Sequence, residues 1–155
     1  RLAKKHSQMV MFKHEDWPGL NKLSVIRSGS GNDEIPRLSI LVGNAALFLP
    51  QELGRGADGA MTGFSYPEMM AQVIEAHNGG DAMRARDIFD AYLPLARYEL
   101  QPGIGLAIRK YILARRGAIS HDTLRKPGGA LDAVAIGEVE QMMARQDNAL
   151  RAIGL

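Results

Sequence analysis

The first half of the chain alternates short apolar runs with longer amphipathic stretches, which predicts strands separated by helices. Each apolar run is bounded by glycine, proline or polar turn residues, as is typical of buried strands, and the runs cover residues 8–13, 38–42 and 58–63. Apolar residues at helical spacing follow each run, at 20–27, 45–53 and 65–78, with Ser65 as the expected cap of the last helix. Repetition of this kind favours parallel strands joined by right-handed crossovers.

The second half has a helical pattern only. Asp81 is placed to cap a helix in which Pro94 should cause a kink or a split. Gln101-Pro102-Gly103 is a break, a further helix ends at Gly117, and a last amphipathic helix covers about 132–153. We therefore predict an α/β protein in two parts, with three βα units over 1–78 and a helical extension over 79–155.

Composition and charge narrow the classes of function. The 155 residues carry a formal charge of +2 and no dense basic stripe, so nucleic acid is not an expected partner. No apolar run approaches the roughly 20 residues of a membrane helix, so no membrane partner is expected. The four histidines are scattered and there is no cysteine, which disfavours a metal site. These features suit a cytoplasmic protein.

Lys13 is the first candidate for chemistry, because it ends the first apolar run and is followed by polar and turn-forming residues. The carboxyl ends of parallel strands are where barrel and open-sheet enzymes place their active sites. Burial there would favour the neutral amine, which can attack a ketone and form a Schiff base. The alternative is a lysine that only extends its ammonium group into water.

The order of several motifs resembles the C-terminal half of the dihydrodipicolinate synthase/N-acetylneuraminate lyase family. The family consists of class I, pyruvate-type aldolases on a (β/α)8 TIM barrel. The motifs that carry the resemblance are VMFKHE at 10–15, LVGNAAL at 41–47, GRGADGAMT at 54–62 and LPL at 93–95. The resemblance implies that the chain is the C-terminal part of such a barrel, with three parallel strands and a helical extension.

The resemblance also implies roles for particular residues. Lys13 would form the Schiff base with pyruvate or another 2-oxo acid, without a cofactor. Substrate-binding positions would be Gly43, Asn44, Met61 and Thr62. Taken structurally, Gly43 could instead be a tight turn, and Met61 could be a core residue.

Two departures from the family pattern bear on the substrate. The segment after Lys13 reads His14-Glu15-Asp16 where many members have Glu-Ala-Ser/Thr-Gly, and Asn44-Ala45 stands where many carry two acidic residues. Both put the lysine-biosynthesis reaction in doubt. Met61-Thr62-Gly63 is more similar to the branch that dehydrates or cleaves 2-keto-3-deoxy sugar acids.

The regions where the family keeps its catalytic tyrosine and its carboxylate-binding loop lie outside this sequence. Because three strands cannot close an eight-stranded barrel, we expect the N-terminal half to be a missing partner. We also expect a homo-oligomer, either a tetramer or a dimer. The alternative function is an inactive barrel fragment that serves as a structural or oligomerisation module.

Overall fold

A computed structural model describes residues 2–155 and contains a parallel sheet flanked by helices. The strands and helices alternate in the first half, and helices alone follow. The elements are α1 (Leu2–Lys5), β1 (Met11–His14), α2 (Leu20–Ser28), β2 (Ser39–Val42), a 3-10 turn (Asn44–Ala46), α3 (Leu49–Leu53), β3 (Gly59–Ala60), α4 (Pro67–Asn78), α5 (Ala82–Glu99), α6 (Gly105–Arg115) and α7 (Ala133–Ala152). The predicted α/β class with three parallel strands is confirmed.

The sheet has the order β1-β2-β3, and its two faces differ in how well they are covered. Lys13 pairs with Leu41, and Leu41 pairs with Gly59. His14, Ile40 and Val42 are buried under the helices. Side chains alternate between faces along a strand, so Lys13 and Leu41 lie on the opposite face. That face is open within residues 2–155, and the large apolar residues Met9, Val10 and Met11 are exposed near it.

Several predicted elements differ from the structure in their bounds, and the third strand and the Pro94 helix differ for clear physical reasons. The third strand is shorter than 58–63, because regular pairing with β2 involves Gly59 and Ala60 only. The helix from Ala82 to Glu99 runs unbroken through Pro94, so the predicted split is wrong. Tyr92, Leu95 and Ala96 are all buried around that proline, and their burial offsets the roughly 3 kcal/mol that a helical proline costs.

The hydrophobic core is continuous from the sheet to the last helix. Buried residues from β2 (Ile40), α4 (Met69), α5 (Leu95), α6 (Ile108) and α7 (Val139) belong to one cluster. The helices after residue 80 therefore pack on the βα units through shared apolar side chains. The division of the chain at residues 78 and 79 stays a prediction.

Asp58 holds the amino ends of the strands together. Its Oδ2 accepts hydrogen bonds from the Ile40 N–H (2.8 Å) and from Arg27 Nη2 (2.6 Å), and Arg37 pairs with Oδ1. Arg27 also donates to the carbonyls of Gly56 (2.8 Å) and Leu38 (2.9 Å). This network fixes β2 against β3 at the end of the sheet that lies away from Lys13.

Candidate active site

Lys13 lies at the carboxyl end of β1, on the open face of the sheet. Its Nζ is 3.3 Å from Glu15 Oε2, and 43% of its side chain is exposed. The pairing agrees with the strand alternation, which returns residue 15 to the face of residue 13. The desolvation expected at this lysine is not supplied by residues 2–155.

His14 occupies the other face, as the alternation predicts. It is buried, and its Nε2 donates to the carbonyl of Gly19 in the loop before α2 (3.0 Å). His14 therefore supports the loop and does not approach Lys13 through the sheet. Its carbonyl accepts the Gly43 N–H (2.8 Å), so β1 and the end of β2 are tied together beside the lysine.

Gly43 has a geometric reason to be glycine. A Cβ atom at this position would overlap the side chain of Glu15. The absence of a side chain therefore lets Glu15 lie over the backbone of residue 43 while it pairs with Lys13. This close approach brings Lys13, Glu15 and Gly43 into one group at the carboxyl edge of the sheet.

The turn after Gly43 has an unusual backbone. Asn44, Ala45 and Ala46 are consecutive residues with positive φ angles of 52°, 52° and 57°. Alanine in the left-handed region costs on the order of 1 kcal/mol, and such strain concentrates at functional sites. The Ala45 N–H donates to Thr62 Oγ1 (2.8 Å), which joins this turn to the segment after β3.

Met61 belongs to the same edge through its backbone. Its N–H donates to the Val42 carbonyl (2.8 Å), while its side chain is 43% exposed and is not a core residue. The structure thus brings Gly43, Asn44, Met61 and Thr62 to the carboxyl edge near Lys13. Contact of these residues with a substrate stays a prediction.

The C-terminal helices hold the segment after β3 through a buried carboxylate. Glu99, at the end of α5, is 1% exposed and accepts hydrogen bonds from the N–H (3.0 Å) and the hydroxyl of Ser65. Arg109 of α6 pairs with Glu99 (2.5 Å) and donates to the Gly63 carbonyl (2.9 Å). The predicted role of Ser65 as a helix cap is wrong, because its hydroxyl bonds Glu99 instead and no side chain caps α4.

A separate cavity of about 420 Å³ lies between the loop after β1 and helix α3. Glu52 lines it, together with Asn44, and Lys13 is not among its lining residues. Burial raises the pKa of Glu52 from 4.5 to about 7. The sequence interpretation missed this residue, although a glutamate beside Leu49 and Leu53 in a short helix is a signal of a buried carboxyl.

Among residues 2–155, no group of three or more His, Asp or Glu side chains is placed to hold a metal ion. None of the helices that the structure describes combines the length and apolar composition needed to cross a bilayer.

Comparison with known proteins identifies relatives but covers only part of their length. No family model matches the chain. A curated protein, L-2-keto-3-deoxyarabonate dehydratase of Azospirillum brasilense, is 32% identical over 128 residues, which are 82% of this chain and 40% of that protein. The chain thus spans less than half the length of this curated relative.

Solved structures agree with this relationship. The crystal structure of dihydrodipicolinate synthase from Rhodopseudomonas palustris is 45% identical, with a TM-score of 0.88 over 93% of this chain and 48% of that one. N-acetylneuraminate lyase of Proteus mirabilis shares the fold, with 24% identity and a TM-score of 0.55 over 77% of this chain and 39% of that one. The three βα units and the helices after them thus correspond to about half of such a barrel enzyme. The chain belongs to the dihydrodipicolinate synthase/N-acetylneuraminate lyase family.

Proposed function

We propose that this chain supplies the Schiff-base lysine of a lyase that acts on pyruvate or a related 2-oxo acid. The observation that carries the proposal is the position of Lys13. It lies at the carboxyl end of β1 on the open face of the sheet, 3.3 Å from Glu15, beside a glycine whose missing side chain makes room for that carboxylate. Family membership supports the same chemistry.

The reaction begins with attack of the neutral Lys13 amine on the keto carbon. A C–N bond forms, the keto oxygen leaves as water after taking one proton from the amine and one from an acid group, and a protonated imine remains. This iminium withdraws electrons, so a proton or a carbon substituent can leave the adjacent carbon while its electron pair stays as an enamine. In a dehydration a proton leaves that carbon, and the enamine then expels the hydroxyl of the next carbon, which takes a proton from an acid group and departs as water. No cofactor is needed, because the iminium is itself the electron sink.

Glu15 forms an ion pair with Lys13 among the described residues, with 3.3 Å between Oε2 and Nζ. The attack requires the neutral amine. We expect the rest of the barrel to cover the open face, to exclude water from the pair and to supply the groups that move protons. The missing half of the barrel is therefore the principal partner in this proposal.

We assign the substrate to the 2-keto-3-deoxy sugar acids and the reaction to dehydration. The 32%-identical relative is named as a dehydratase of such an acid. Asn44 and Thr62 also fit this class, because the strained 44–46 turn and its Thr62 bond present amide and hydroxyl groups where sugar hydroxyls could be recognised.

Trapping of the imine tests the proposal. The full-length protein is incubated with pyruvate and borohydride, and the modified peptide is identified by mass spectrometry. We expect a reduced adduct on Lys13 and none in Lys13→Ala. Lys22→Ala is the matched control, because Lys22 is also half-exposed and paired with a carboxylate. An adduct on another lysine, or none in the full-length protein, contradicts the proposal.

A second candidate is a barrel remnant that serves only in assembly. The observation that favours it is the half-exposed, ion-paired state of Lys13, which does not line the cavity beside α3. In that case Lys13→Ala would leave the function of the full-length protein intact. A homo-oligomer, a dimer or a tetramer, is expected under either candidate, and sedimentation of the full-length protein would establish its size.

A further inference from the structure

The cavity beside α3 has the dimensions of a small-molecule site. Its volume of about 420 Å³ falls within the range of ligand pockets, about 300–1,000 Å³. It lies between the loop that follows β1 and helix α3, which follows β2. Both walls belong to the described chain, so the cavity does not depend on the missing half for its formation.

Glu52 is one of the polar residues that line this cavity, and its Oε2 has no partner among the described residues. The residue is 7% exposed, and its Oε2 is buried without a hydrogen bond among residues 2–155. A buried carboxyl group without a partner is costly, and such groups in native proteins call for an explanation.

The other charged groups that line the cavity are engaged elsewhere. Asp16 pairs with Lys22. The Arg55 guanidinium donates from Nη1 to Asn21 Oδ1 (3.2 Å) and to Ser24 Oγ (3.1 Å), and among the described residues no hydrogen bond joins it to the Glu52 carboxyl group. The carboxyl group therefore remains available for a donor from outside the chain.

Two aromatic rings border the same space. Trp17 and Phe48 lie with their ring centroids 5.2 Å apart at an angle of 54°, and both line the cavity while remaining exposed. Aromatic faces attract cations, tryptophan most strongly. A carboxylate beside two aromatic rings is a chemical setting that suits a positively charged group on an apolar stem.

We propose that this cavity binds a small molecule that carries a primary ammonium group, which pairs with Glu52 while its carbon chain lies against Trp17 and Phe48. The cavity shares Asn44 with the proposed substrate-binding edge, but Lys13 is not among its lining residues, and the proposed ammonium contact is made by Glu52 instead. The inference therefore does not depend on the proposed lyase function.

Binding should release a proton near neutral pH. Burial raises the pKa of Glu52 to about 7 when no ligand is bound, and an ammonium ligand requires the ionised carboxylate. Asp16 and Arg55 are the other charged groups that face the cavity, and both keep their present partners in this scheme. Below pH 7 the release should approach about one proton per bound amine.

The test uses n-butylammonium as the probe and the indole N–H resonance of Trp17 as the readout. The full-length protein is labelled with ¹⁵N-tryptophan, and the Trp17 signal is assigned with a Trp17→Phe variant. We expect n-butylammonium to shift this resonance saturably at pH 8 and neutral 1-butanol to bind at least about tenfold more weakly. Glu52→Gln should weaken n-butylammonium binding by about tenfold or more.

Glu75→Gln is the matched control, because it removes the same charge from an exposed position on α4; its affinity should equal that of the wild type. Equal binding of n-butylammonium to Glu52→Gln and the wild type would overturn the proposal, as would equal binding of 1-butanol and the amine. Loss of binding in Asp16→Asn but not in Glu52→Gln would also overturn it, by placing the cation on the wrong carboxylate.

Discussion

Thr62 stabilises the strained turn with one side-chain oxygen. We predict that Thr62→Val in the full-length protein lowers the free energy of unfolding by about 1–3 kcal/mol, because the Ala45 N–H loses its acceptor. Thr62→Ser keeps the oxygen and should lose less than half as much. Urea unfolding of the three proteins measures the difference. Equal losses for valine and serine would mean that the hydroxyl does not support the turn.

Glu52 should make stability fall as pH rises. Its pKa is about 7 in the folded state and about 4.5 when unfolded. Between these pH values the unfolded chain has released a proton that the folded chain retains. The free energy of unfolding therefore declines across this window by up to about 3 kcal/mol, and it is constant above the window.

Glu52→Gln removes this dependence. We predict that the variant gains stability relative to the wild type as the pH is raised from 5 to 8, as measured by urea unfolding at several pH values. Glu75→Gln again serves as the control and should show no such gain. A constant difference between Glu52→Gln and the wild type over this range would contradict the shifted pKa.

At the residue scale, sequence reasoning succeeded where the relevant contact was local. Strand alternation gave the relation between Lys13, His14 and Glu15 correctly, because it depends on neighbouring residues only. Ser65 was misassigned as a cap, since its partner Glu99 lies 34 residues away. Glu52 was missed although Leu49 and Leu53 beside it are a local signal of burial, because the cavity that it lines is formed by elements that meet only in the folded chain.

At the scale of strands and helices, Asp58 should contribute substantially to stability. We predict that Asp58→Asn costs about 2–4 kcal/mol at pH 7, because Arg27 and Arg37 lose their shared carboxylate. Asp87→Asn, on the exposed side of α5, is the matched control and should cost less than about 0.5 kcal/mol. Thermal or urea unfolding measures both.

The cost of Asp58→Asn should also depend on pH. Burial works to raise the pKa of Asp58, but hydrogen bonds from Arg37 and the Ile40 N–H, with the nearby arginine charges, outweigh it and hold the pKa below its usual value. The stabilisation is then complete above about pH 4, the unfolded pKa, and is lost as pH falls through the folded value. If the loss of unfolding free energy caused by Asp58→Asn did not become smaller in acid, this account would be contradicted.

The order and type of the larger elements could be predicted from periodicity and turn residues. The cap at Asp81 also followed from local chemistry, and its side chain accepts from the third residue of its helix. Asp132 caps the last helix in the same way, although no cap was predicted there. The effect of Pro94 on its helix could not be predicted from the local sequence, because packing of the residues around it decides whether the helix continues. The length of β3 depended equally on its neighbour β2.

For the whole molecule, the open face of the sheet predicts behaviour of the isolated chain. Met9, Val10 and Met11 are exposed, and both outer strands have free edges within the described residues. We predict that the 155-residue chain alone binds the dye ANS and associates in a concentration-dependent way. Fluorescence and sedimentation measure these properties.

The full-length protein is the control for this prediction, and it should bind little ANS, because the rest of the barrel would cover the same face. A double substitution, Met9→Lys with Met11→Lys, should reduce association of the isolated chain, because strand alternation places both residues on the face of Lys13. If the isolated chain stays monomeric and dye-free, its open face is protected in some other way.

The Glu99 contacts have a practical consequence for protein engineering. Anyone who grafts these βα units onto another barrel would inherit a loop whose Ser65 N–H and Gly63 carbonyl rely on residues from α5 and α6. A chimera that ends at α4 would leave those two backbone groups without their partners. The contacts that hold residues 61–65 in place would then be missing. Helices α5 and α6 must be grafted together with the βα units, or a designer must supply substitutes for Glu99 and Arg109.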